Sequence, residues 1–249
     1  LDALNAQLRY ISHYPDATND DVLNAIADTY EMDKHQIIVG NGAAELLYAI
    51  CRLPGYTGAF VPAPGFSEYK EALEASKIPV RDIFYRPRED DNGKPYFEVP
   101  YLALETFAAE LKGQDGRIIV FLGNPNNPDG TLLDKDHIRT VASMLKDANS
   151  LLVIDESFID FVGNDPLQDN EHSMRSLVNE FDNIIVVHSF TKFYAVPGLR
   201  IGAAFANETL ITQLQQYIPS WSVNTLAQAY TKAALNDVDY IKRTKQEIG

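Results

Sequence analysis

Residues 184–202 read IIVVHSFTKFYAVPGLRIG and decide the fold, because a buried strand runs here directly into a polar segment. The four β-branched residues Ile184–Val187 predict the strand. Ser189 then stands three residues before Lys192, and Arg200 stands eight residues after it. Sites form at strand ends in α/β sheets, and a hydroxyl and a fixed cation beside an amine suit a phosphate next to a nucleophilic lysine. A lone lysine is usually only a solvated side chain, but these neighbours favour a reactive one.

Further apolar runs alternate with amphipathic segments on both sides of this stretch. Continuous apolar runs are typical of strands that are covered on both faces of a sheet. The alternation of strands with helices predicts an α/β layered domain. The predicted strands are Ile37–Val39, Ile118–Leu122, Leu151–Ile154 and Ile184–Val187, and the predicted helices are Glu45–Cys51, Tyr101–Leu111, Asp136–Asp147 and Met174–Phe181.

An acid and three turn-rich segments flank the predicted strands. Asp155 comes directly after Leu151–Ile154, where it could cap a helix or pair with the protonated nitrogen of a pyridine ring. Gly40–Leu46 predicts a strand-to-helix corner whose backbone N–H groups would receive a phosphate. Taken alone, Gly123–Gly130 is a turn. Pro62–Tyr69 could place an aromatic face against a flat ring, or simply bury that aromatic in the core.

The composition excludes several classes of partner. The formal net charge of −14 over 249 residues would repel a nucleic-acid backbone or an anionic membrane surface, so neither is an expected partner. Cys51 is the single cysteine, and the five histidines are scattered without ligand spacing, so we expect no disulfide and no metal site. No apolar run approaches the ~18 residues that a membrane span needs. A reducing, cytoplasmic location is the simplest interpretation.

Taken in this order, the five segments resemble the fold-type I pyridoxal-phosphate enzymes, and most closely the histidinol-phosphate aminotransferase and threonine-phosphate decarboxylase group. The resemblance spans nearly the whole chain. It implies a three-layer α/β sandwich with a mostly parallel central sheet, which is the large domain of these enzymes, and pyridoxal 5'-phosphate as the cofactor. It also implies a homodimer with shared active sites that acts on a small amino-acid or amino-phosphate substrate.

Carried over position by position, the resemblance assigns roles around the cofactor ring. Lys192 aligns with the lysine that holds the cofactor as a Schiff base. Asp155 aligns with the acid that pairs with the ring nitrogen, and Asn127 with the asparagine that hydrogen-bonds the ring hydroxyl. Phe66 aligns with the aromatic residue that stacks on the ring. The resemblance therefore implies Lys192 and Asp155 as the catalytic pair.

The resemblance also assigns the phosphate ligands. Ala43 and Ala44 align with the positions whose backbone N–H groups meet the phosphate, and Ser189 and Arg200 match the side-chain ligands. Tyr14 resembles the tyrosine that reaches the phosphate of the neighbouring subunit. The proline that follows restricts Tyr14 to extended backbone, which suits a segment that crosses an interface. Otherwise, Tyr14 would be a local turn residue.

One residue that differs from the pattern of many relatives, and two segments, favour the decarboxylases within this group. Phe158 stands where many relatives carry a tyrosine that hydrogen-bonds the ring hydroxyl, so the cofactor electronics are expected to differ. Thr191–Arg200 and Pro219–Asn224 are also more similar to threonine-phosphate decarboxylases. The implied reaction is decarboxylation of L-threonine O-3-phosphate to aminopropanol phosphate, as in cobalamin biosynthesis. The alternative is an aminotransferase similar to histidinol-phosphate aminotransferases.

The two reactions differ in which substrate bond stands perpendicular to the cofactor ring. A perpendicular carboxylate leaves as CO2, after which Lys192 or water reprotonates the carbon. A perpendicular hydrogen instead gives transamination with Lys192 as the proton shuttle. The group of residues that grips the substrate carboxylate is expected to lie mostly in a small C-terminal domain that is largely absent from the chain. The sequence therefore leaves the reaction open.

Two alternative functions from other classes of protein also stay open. Pyridoxal-phosphate domains serve as ligand-sensing halves of transcription regulators, but those carry a basic DNA-binding domain in front, and the sequence contains no such segment. A nucleotide-binding domain would need a glycine-rich fingerprint or a P-loop after a strand, and none is present.

The expected organisation has three parts. Residues 1–15 are expected near the dimer interface, residues 16–230 form the cofactor-binding large domain, and residues 231–249 begin the connection to the small domain. After Tyr217 the pattern is helical without a closing strand, so we expect further chain to follow. The turn-rich stretch Arg86–Pro95 is expected to be a surface excursion rather than a linker.

Overall fold

The apolar runs of the sequence form a mixed sheet in the computed structural model, which describes residues 2–111, 116–163 and 171–248. Nine strands occur within those ranges: β1 Ile37–Gly40, β2 Tyr56–Ala63, β3 Val80–Phe84, β4 Arg86–Glu89, β5 Pro95–Glu98, β6 Arg117–Gly123, β7 Leu151–Asp155, β8 Ile184–Ser189 and β9 Gly202–Phe205. Seven of them form the central sheet in the order β1-β9-β8-β7-β6-β2-β3, and β4 pairs with β5 in a separate ribbon.

The sheet is mostly parallel, as predicted. Its parallel pairs are β2 with β3 and β6, β6 with β7, and β7 with β8. Only β9 runs against its neighbours, β1 and β8, within the described sheet. Gly123 pairs with Asp155, and Asp155 pairs with Val187, so the carboxyl ends of β6, β7 and β8 lie side by side. Residues that follow these three strands therefore meet at one edge of the sheet.

The described residues contain ten α-helices: α1 Asp2–Gln7, α2 Asp20–Tyr30, α3 Gly42–Cys51, α4 Glu68–Ala75, α5 Tyr101–Leu111, α6 Lys135–Asp147, α7 Phe190–Phe193, α8 Glu208–Gln215, α9 Thr225–Leu235 and α10 Val238–Ile248. Polar side chains cap the N-termini of several of these helices. Asp134 accepts hydrogen bonds from the first backbone N–H groups of α6, and Asn207 and Asn224 do the same for α8 and α9. These caps explain why the helices begin where the polar residues stand.

Side chains of the central strands alternate between two apolar cores. In β8, Ile184 and Val186 pack into the core that α2, α5, α6, α9 and α10 cover. Ile185 and Val187 pack into the opposite core, which α3, α4 and α8 cover. A fully buried side chain of this type contributes about 1.5–3 kcal/mol. The two cores confirm the three-layer sandwich.

Most of the predicted elements are confirmed, and one is wrong. All four predicted strands are present, and the segment after Tyr217 contains α9 and α10. The helix predicted over Met174–Phe181 is instead a short 3-10 helix, Arg175–Asn179. Its start is tied to a buried carboxylate, because the Met174 N–H donates to Glu156 Oε1 at 2.6 Å. The stretch Arg86–Pro95 lies on the exposed ribbon of β4 and β5. Among the described helices, none has the length and apolar character needed to cross a bilayer.

Candidate active site

Lys192 lies on α7, a single turn that follows β8 directly. Ser189 ends β8 and caps this turn, because its hydroxyl accepts the Thr191 N–H. The same hydroxyl accepts a hydrogen bond of 3.2 Å from Lys192 Nζ. Among the described residues, no carboxylate lies within ion-pairing distance of Lys192. The strand, the cap and the turn thus place the Lys192 amine at the end of the sheet without a carboxylate partner among the described residues. The position directly after the strand is the one that the sequence predicted.

The surroundings lower the pKa of the Lys192 amine. Desolvation lowers the pKa of Lys192, and the positive charge of Arg200 lowers it further, while Asp155 opposes both effects. A lysine whose pKa is lowered holds its proton less firmly and is the better nucleophile at neutral pH. The electrostatics therefore suit both a covalent bond at Nζ and proton transfer at the same atom.

Asp155 ends β7 and is buried, with 5% of its surface exposed. Its two carboxylate oxygens have different partners. Oδ1 accepts the backbone N–H of Ser157 at 2.9 Å, and Oδ2 accepts the hydroxyl of Tyr69 at 2.9 Å. The bond from Ser157 resembles the local cap that the alternative interpretation of Asp155 predicts. The short 3-10 helix that follows, Ile159–Phe161, begins after Phe158 instead, so Asp155 is not its N-cap. Neither partner carries a positive charge, so the carboxylate stays available to a cationic ligand.

A small cavity of about 40 Å³ joins these groups. It lies at the carboxyl ends of β6, β7 and β8, and both Lys192 and Asp155 line it. The remaining lining residues are Phe66, Tyr69, Pro125, Asn127, Ser157 and Phe158. Four of the residues that the sequence singled out, from four separate segments, therefore share one cavity: Phe66, Asn127, Asp155 and Lys192.

The N-terminus of α3 meets Arg200 beside Ser189. Gly42 has a φ of +82°, and a Cβ on it would lie 2.5 Å from Nη2 of Arg200. A Cβ on Gly202 would lie 2.6 Å from the backbone nitrogen of Ala43. Only glycine permits both approaches. Ala43 and Ala44 lie in the first turn of α3, where N–H groups have no helical partner and attract anions.

Tyr14 lies apart from this cavity. Its side chain is 80% exposed, and its ring centroid is 4.7 Å from that of Trp221, which is itself 49% exposed. The structure describes one chain, so the predicted contact of Tyr14 with a neighbouring subunit stays a prediction. A contact with another subunit requires that the Tyr14 side chain be exposed in the single chain, and it is.

The sequence reasoning missed Tyr69. This residue lies in the first turn of α4, three positions after Phe66, and its hydroxyl contacts the predicted catalytic acid. The available signal was that Tyr69 closes the same segment, Pro62–Tyr69, that the sequence singled out for an aromatic contact with the ring. Phe158 also lines the cavity, with its ring centroid 5.8 Å from Lys192 Nζ. It offers the cavity no hydroxyl.

Residues 3–248 match the family model of the class I and II aminotransferases, and the chain belongs to this family. Among its curated relatives is the bifunctional adenosylcobalamin biosynthesis protein of Leptospira interrogans, 33% identical over 98% of the chain and 26% of that protein. A putative threonine-phosphate decarboxylase of Caldanaerobacter subterraneus is 32% identical over 96% of the chain and 60% of its own length. The histidinol-phosphate aminotransferase of Bacillus pumilus is 28% identical over the whole chain and 64% of its own length.

The fold is also similar to solved structures. The histidinol-phosphate aminotransferase of Clostridium acetobutylicum superposes with a TM-score of 0.82 at 22% identity, over 98% of this chain and 69% of that one. This likeness confirms the large-domain fold of the fold-type I enzymes. The chain spans less than two thirds of the length of the curated relatives named above.

The cofactor of this family is pyridoxal 5'-phosphate, and the residues of the site fit it. Arg200, Ser189 and the N-terminus of α3 supply a cation, a hydroxyl and free N–H donors for a phosphate. Asp155 supplies a buried carboxylate beside the aromatic side chains of the cavity, which suits a flat ring with a protonated nitrogen. Lys192 supplies the amine.

Proposed function

We propose that the protein catalyses the decarboxylation of L-threonine O-3-phosphate to aminopropanol phosphate, with pyridoxal 5'-phosphate held by Lys192. The observation that carries the proposal is that Lys192 and Asp155 line the same cavity and that Lys192 is hydrogen-bonded to Ser189, a proposed phosphate ligand. The putative threonine-phosphate decarboxylase named above supports this substrate. The adenosylcobalamin biosynthesis protein supports a role in the same kind of biosynthesis.

The proposed roles follow the geometry of the site. Ser189, Arg200 and the N–H groups of Ala43 and Ala44 bind the cofactor phosphate. Asp155 holds the proton on the ring nitrogen, Asn127 binds the ring hydroxyl, and Phe66 covers one face of the ring. When bound, the cofactor supplies an electron sink for the bond that breaks at the substrate α-carbon.

Lys192 has two tasks in this proposal. Its amine would hold the cofactor covalently and would be released when the amino group of the substrate takes its place. Once released and protonated, the Lys192 ammonium would give its proton to the substrate α-carbon after the C–C bond to CO2 breaks, which forms the C–H bond and leaves a neutral amine. Both tasks need an amine that exchanges its proton readily, and the lowered pKa of Lys192 supports them.

Phe158 is the residue of this cavity that supports decarboxylation over transamination. A hydroxyl at this position would give the ring oxygen a second hydrogen bond, and the phenyl ring leaves Asn127 as the expected partner. This departure favours the decarboxylase. Transamination by an enzyme similar to the histidinol-phosphate aminotransferases is the second candidate, because such a relative matches the chain at 28% identity. A regulatory module that binds the cofactor without catalysis is the third.

The active unit is proposed to be a homodimer in which Tyr14 of each subunit completes the phosphate site of the other. The exposed Tyr14 and Trp221 rings lie together on the surface, where a second copy could cover them. Burying aromatic surface of this kind is a common basis of subunit association.

The test uses full-length protein loaded with pyridoxal 5'-phosphate. We expect CO2 and aminopropanol phosphate from L-threonine O-3-phosphate without any 2-oxo acid. A parallel reaction contains histidinol phosphate and 2-oxoglutarate, and glutamate formation there without decarboxylation would replace the proposed reaction by transamination. The Lys192→Ala variant is the control in both reactions. Failure of both reactions with a loaded wild-type protein would favour the regulatory module.

A further inference from the structure

The carboxylate of Asp155 is held by two neutral donors, and one of them comes from a distant part of the chain. The N–H of Ser157 is a neighbour along the backbone, whereas Tyr69 lies 86 residues away on α4. The Tyr69 hydroxyl donates to Oδ2 at 2.9 Å. A bond between remote segments fixes the carboxylate relative to the helix as well as to its own strand.

Tyr69 also contacts the aromatic residue that is proposed to cover the cofactor ring. The rings of Tyr69 and Phe66 meet edge to face, with centroids 5.6 Å apart at 86°. On its other side, Tyr69 stacks on Phe121 of β6, with centroids 5.2 Å apart at 15°. With 2% of its surface exposed, Tyr69 has no freedom to choose another partner.

We infer that Tyr69 is a positioning residue. Its hydroxyl fixes the carboxylate of Asp155, and its ring fixes the orientation of the Phe66 ring. One side chain then sets the angle and distance between the two groups proposed to contact the cofactor ring. The inference deepens the proposed function and depends on its placement of the ring nitrogen at Asp155.

The chemistry of Tyr69 suits this role. Burial, and then the negative charge of Asp155, raise the pKa of Tyr69 well above its usual value. The phenol therefore stays protonated throughout the working pH range and always acts as the donor. A hydrogen bond to a carboxylate stabilises its charge, and a stabilised carboxylate favours the proton on the ring nitrogen. That positive charge in turn disfavours a second proton on the cofactor-linked nitrogen of Lys192.

The Tyr69→Phe variant removes only the hydroxyl and tests this chain of effects. In full-length holoenzyme, we expect the pH midpoint of the visible absorbance of the bound cofactor to rise by at least ~0.5. We expect kcat to fall about 10-fold with KM changed less than about 2-fold, because the lost bond serves the reacting ring. Replacing Tyr69 with 3,5-difluorotyrosine, whose hydroxyl is a stronger donor, should move the midpoint in the opposite direction.

Tyr85→Phe is the matched control. Tyr85 is also a buried tyrosine, but its hydroxyl has no hydrogen-bond partner within the described ranges. Its removal should leave the absorbance midpoint and kcat unchanged.

Three results would overturn the inference. The first is a Tyr69→Phe holoenzyme with the wild-type midpoint and kcat, even if its melting temperature falls, because Tyr69 would then be only structural. The second is an equal change in Tyr85→Phe. The third is an Asp155→Asn variant whose absorbance midpoint is the same as that of the wild type. This result would contradict the proposed placement of the ring nitrogen at Asp155, and the role of Tyr69 with it. If Asp155→Asn shifts the midpoint and Tyr69→Phe does not, only the role of Tyr69 fails.

Discussion

Two cavities lie on either side of the Lys192 turn, and they differ both in size and in chemistry. The proposed catalytic cavity measures about 40 Å³ and is lined by residues that include Lys192 and Asp155. The other measures about 650 Å³ and is lined by residues of α2, α9 and α10 together with Asp160 and Arg175. Phe193 and Tyr194, which directly follow Lys192, line the larger one.

Ionisable groups beside the larger cavity lie in pairs. His188 Nε2 lies 3.1 Å from Asp160 Oδ2, and Arg175 Nη1 lies 3.6 Å from Glu156 Oε2. Glu156 also accepts hydrogen bonds from Asn124 and from two consecutive residues, Ser173 and Met174. We call the two pairs and Asn124 the polar layer. Burial alone would raise the pKa of Asp160, but the neighbouring His188 and Arg175 lower it overall.

The catalytic cavity shows the opposite arrangement, because Lys192 and Asp155 have only neutral partners among the described residues. Buried charges that pair with one another serve folding, and removing one partner is costly. Ionisable groups whose hydrogen-bond partners are neutral remain free to act on a ligand. The comparison therefore supports the smaller cavity as the proposed site, because its ionisable groups have no charged partner within the described ranges.

The largest expected effect is at Lys192. Lys192→Ala removes both the covalent anchor and the proton donor, so we expect turnover to fall by at least ~1,000-fold. The folded state should be unaffected, because within the described ranges Lys192 makes one hydrogen bond, to Ser189. Steady-state kinetics and equilibrium unfolding measured on the same preparation check both statements. Measurable turnover at a tenth of the wild-type rate would contradict the comparison.

The next effect concerns Asp155. Asp155→Ala should lower kcat about 100-fold while cofactor affinity falls much less, because the phosphate ligands remain and the electron sink loses its ionic partner. Kinetics and equilibrium dialysis of the cofactor separate the two quantities. Near-normal turnover would show that the ring does not need this acid.

In the polar layer, the expected effect is on folding instead. Arg175→Met should destabilise the protein by about 3 kcal/mol, because Glu156 would lose its buried cation. The kcat of the folded enzyme should stay within about 2-fold of the wild type. Urea unfolding checks the first value, and Arg139→Met, which breaks an exposed ion pair with Glu180, is the control with little expected change. If Arg175→Met acted on kcat and not on stability, the two regions would not differ as described.

The smallest effect is expected at the surface. Tyr14→Phe should weaken cofactor retention by about 5-fold, the cost of one hydrogen bond to a phosphate. The proposed subunit exchange adds a sharper test, since mixing a Tyr14 variant with an inactive Lys192 variant should restore a fraction of the sites. A monomer with full cofactor occupancy, measured by light scattering together with absorbance, would exclude the shared site.

The sequence predicted the parts of the fold that continuous apolar runs specify. β6, β7 and β8 are such runs, and the residues that follow them meet because parallel strands end at one edge. The strands β2, β3 and β9 were not predicted. β2 contains Gly58 and Pro62, β3 carries Arg81 and Asp82, and β9 is only four residues long. The pairing of these strands depends on neighbours that a local pattern does not contain.

The same limit explains what was missed at the site. Lys192 and Asp155 follow predicted strands, so their position could be inferred from the local pattern. The contact of Tyr69 with Asp155 joins residues 86 positions apart, and only the folded sheet brings them together. The polar layer was not predicted for a similar reason. Neither Glu156 nor Arg175 carries a signal in the local sequence, and only the fold places them side by side.

Borohydride reduction of the cofactor-loaded full-length protein, followed by peptide mapping, tests the central claim most directly. The reduction fixes the cofactor permanently to the nitrogen that holds it. We expect a single labelled lysine, Lys192, in the peptide that follows β8. A label on any other lysine, or a loaded protein without a covalent label, would contradict it.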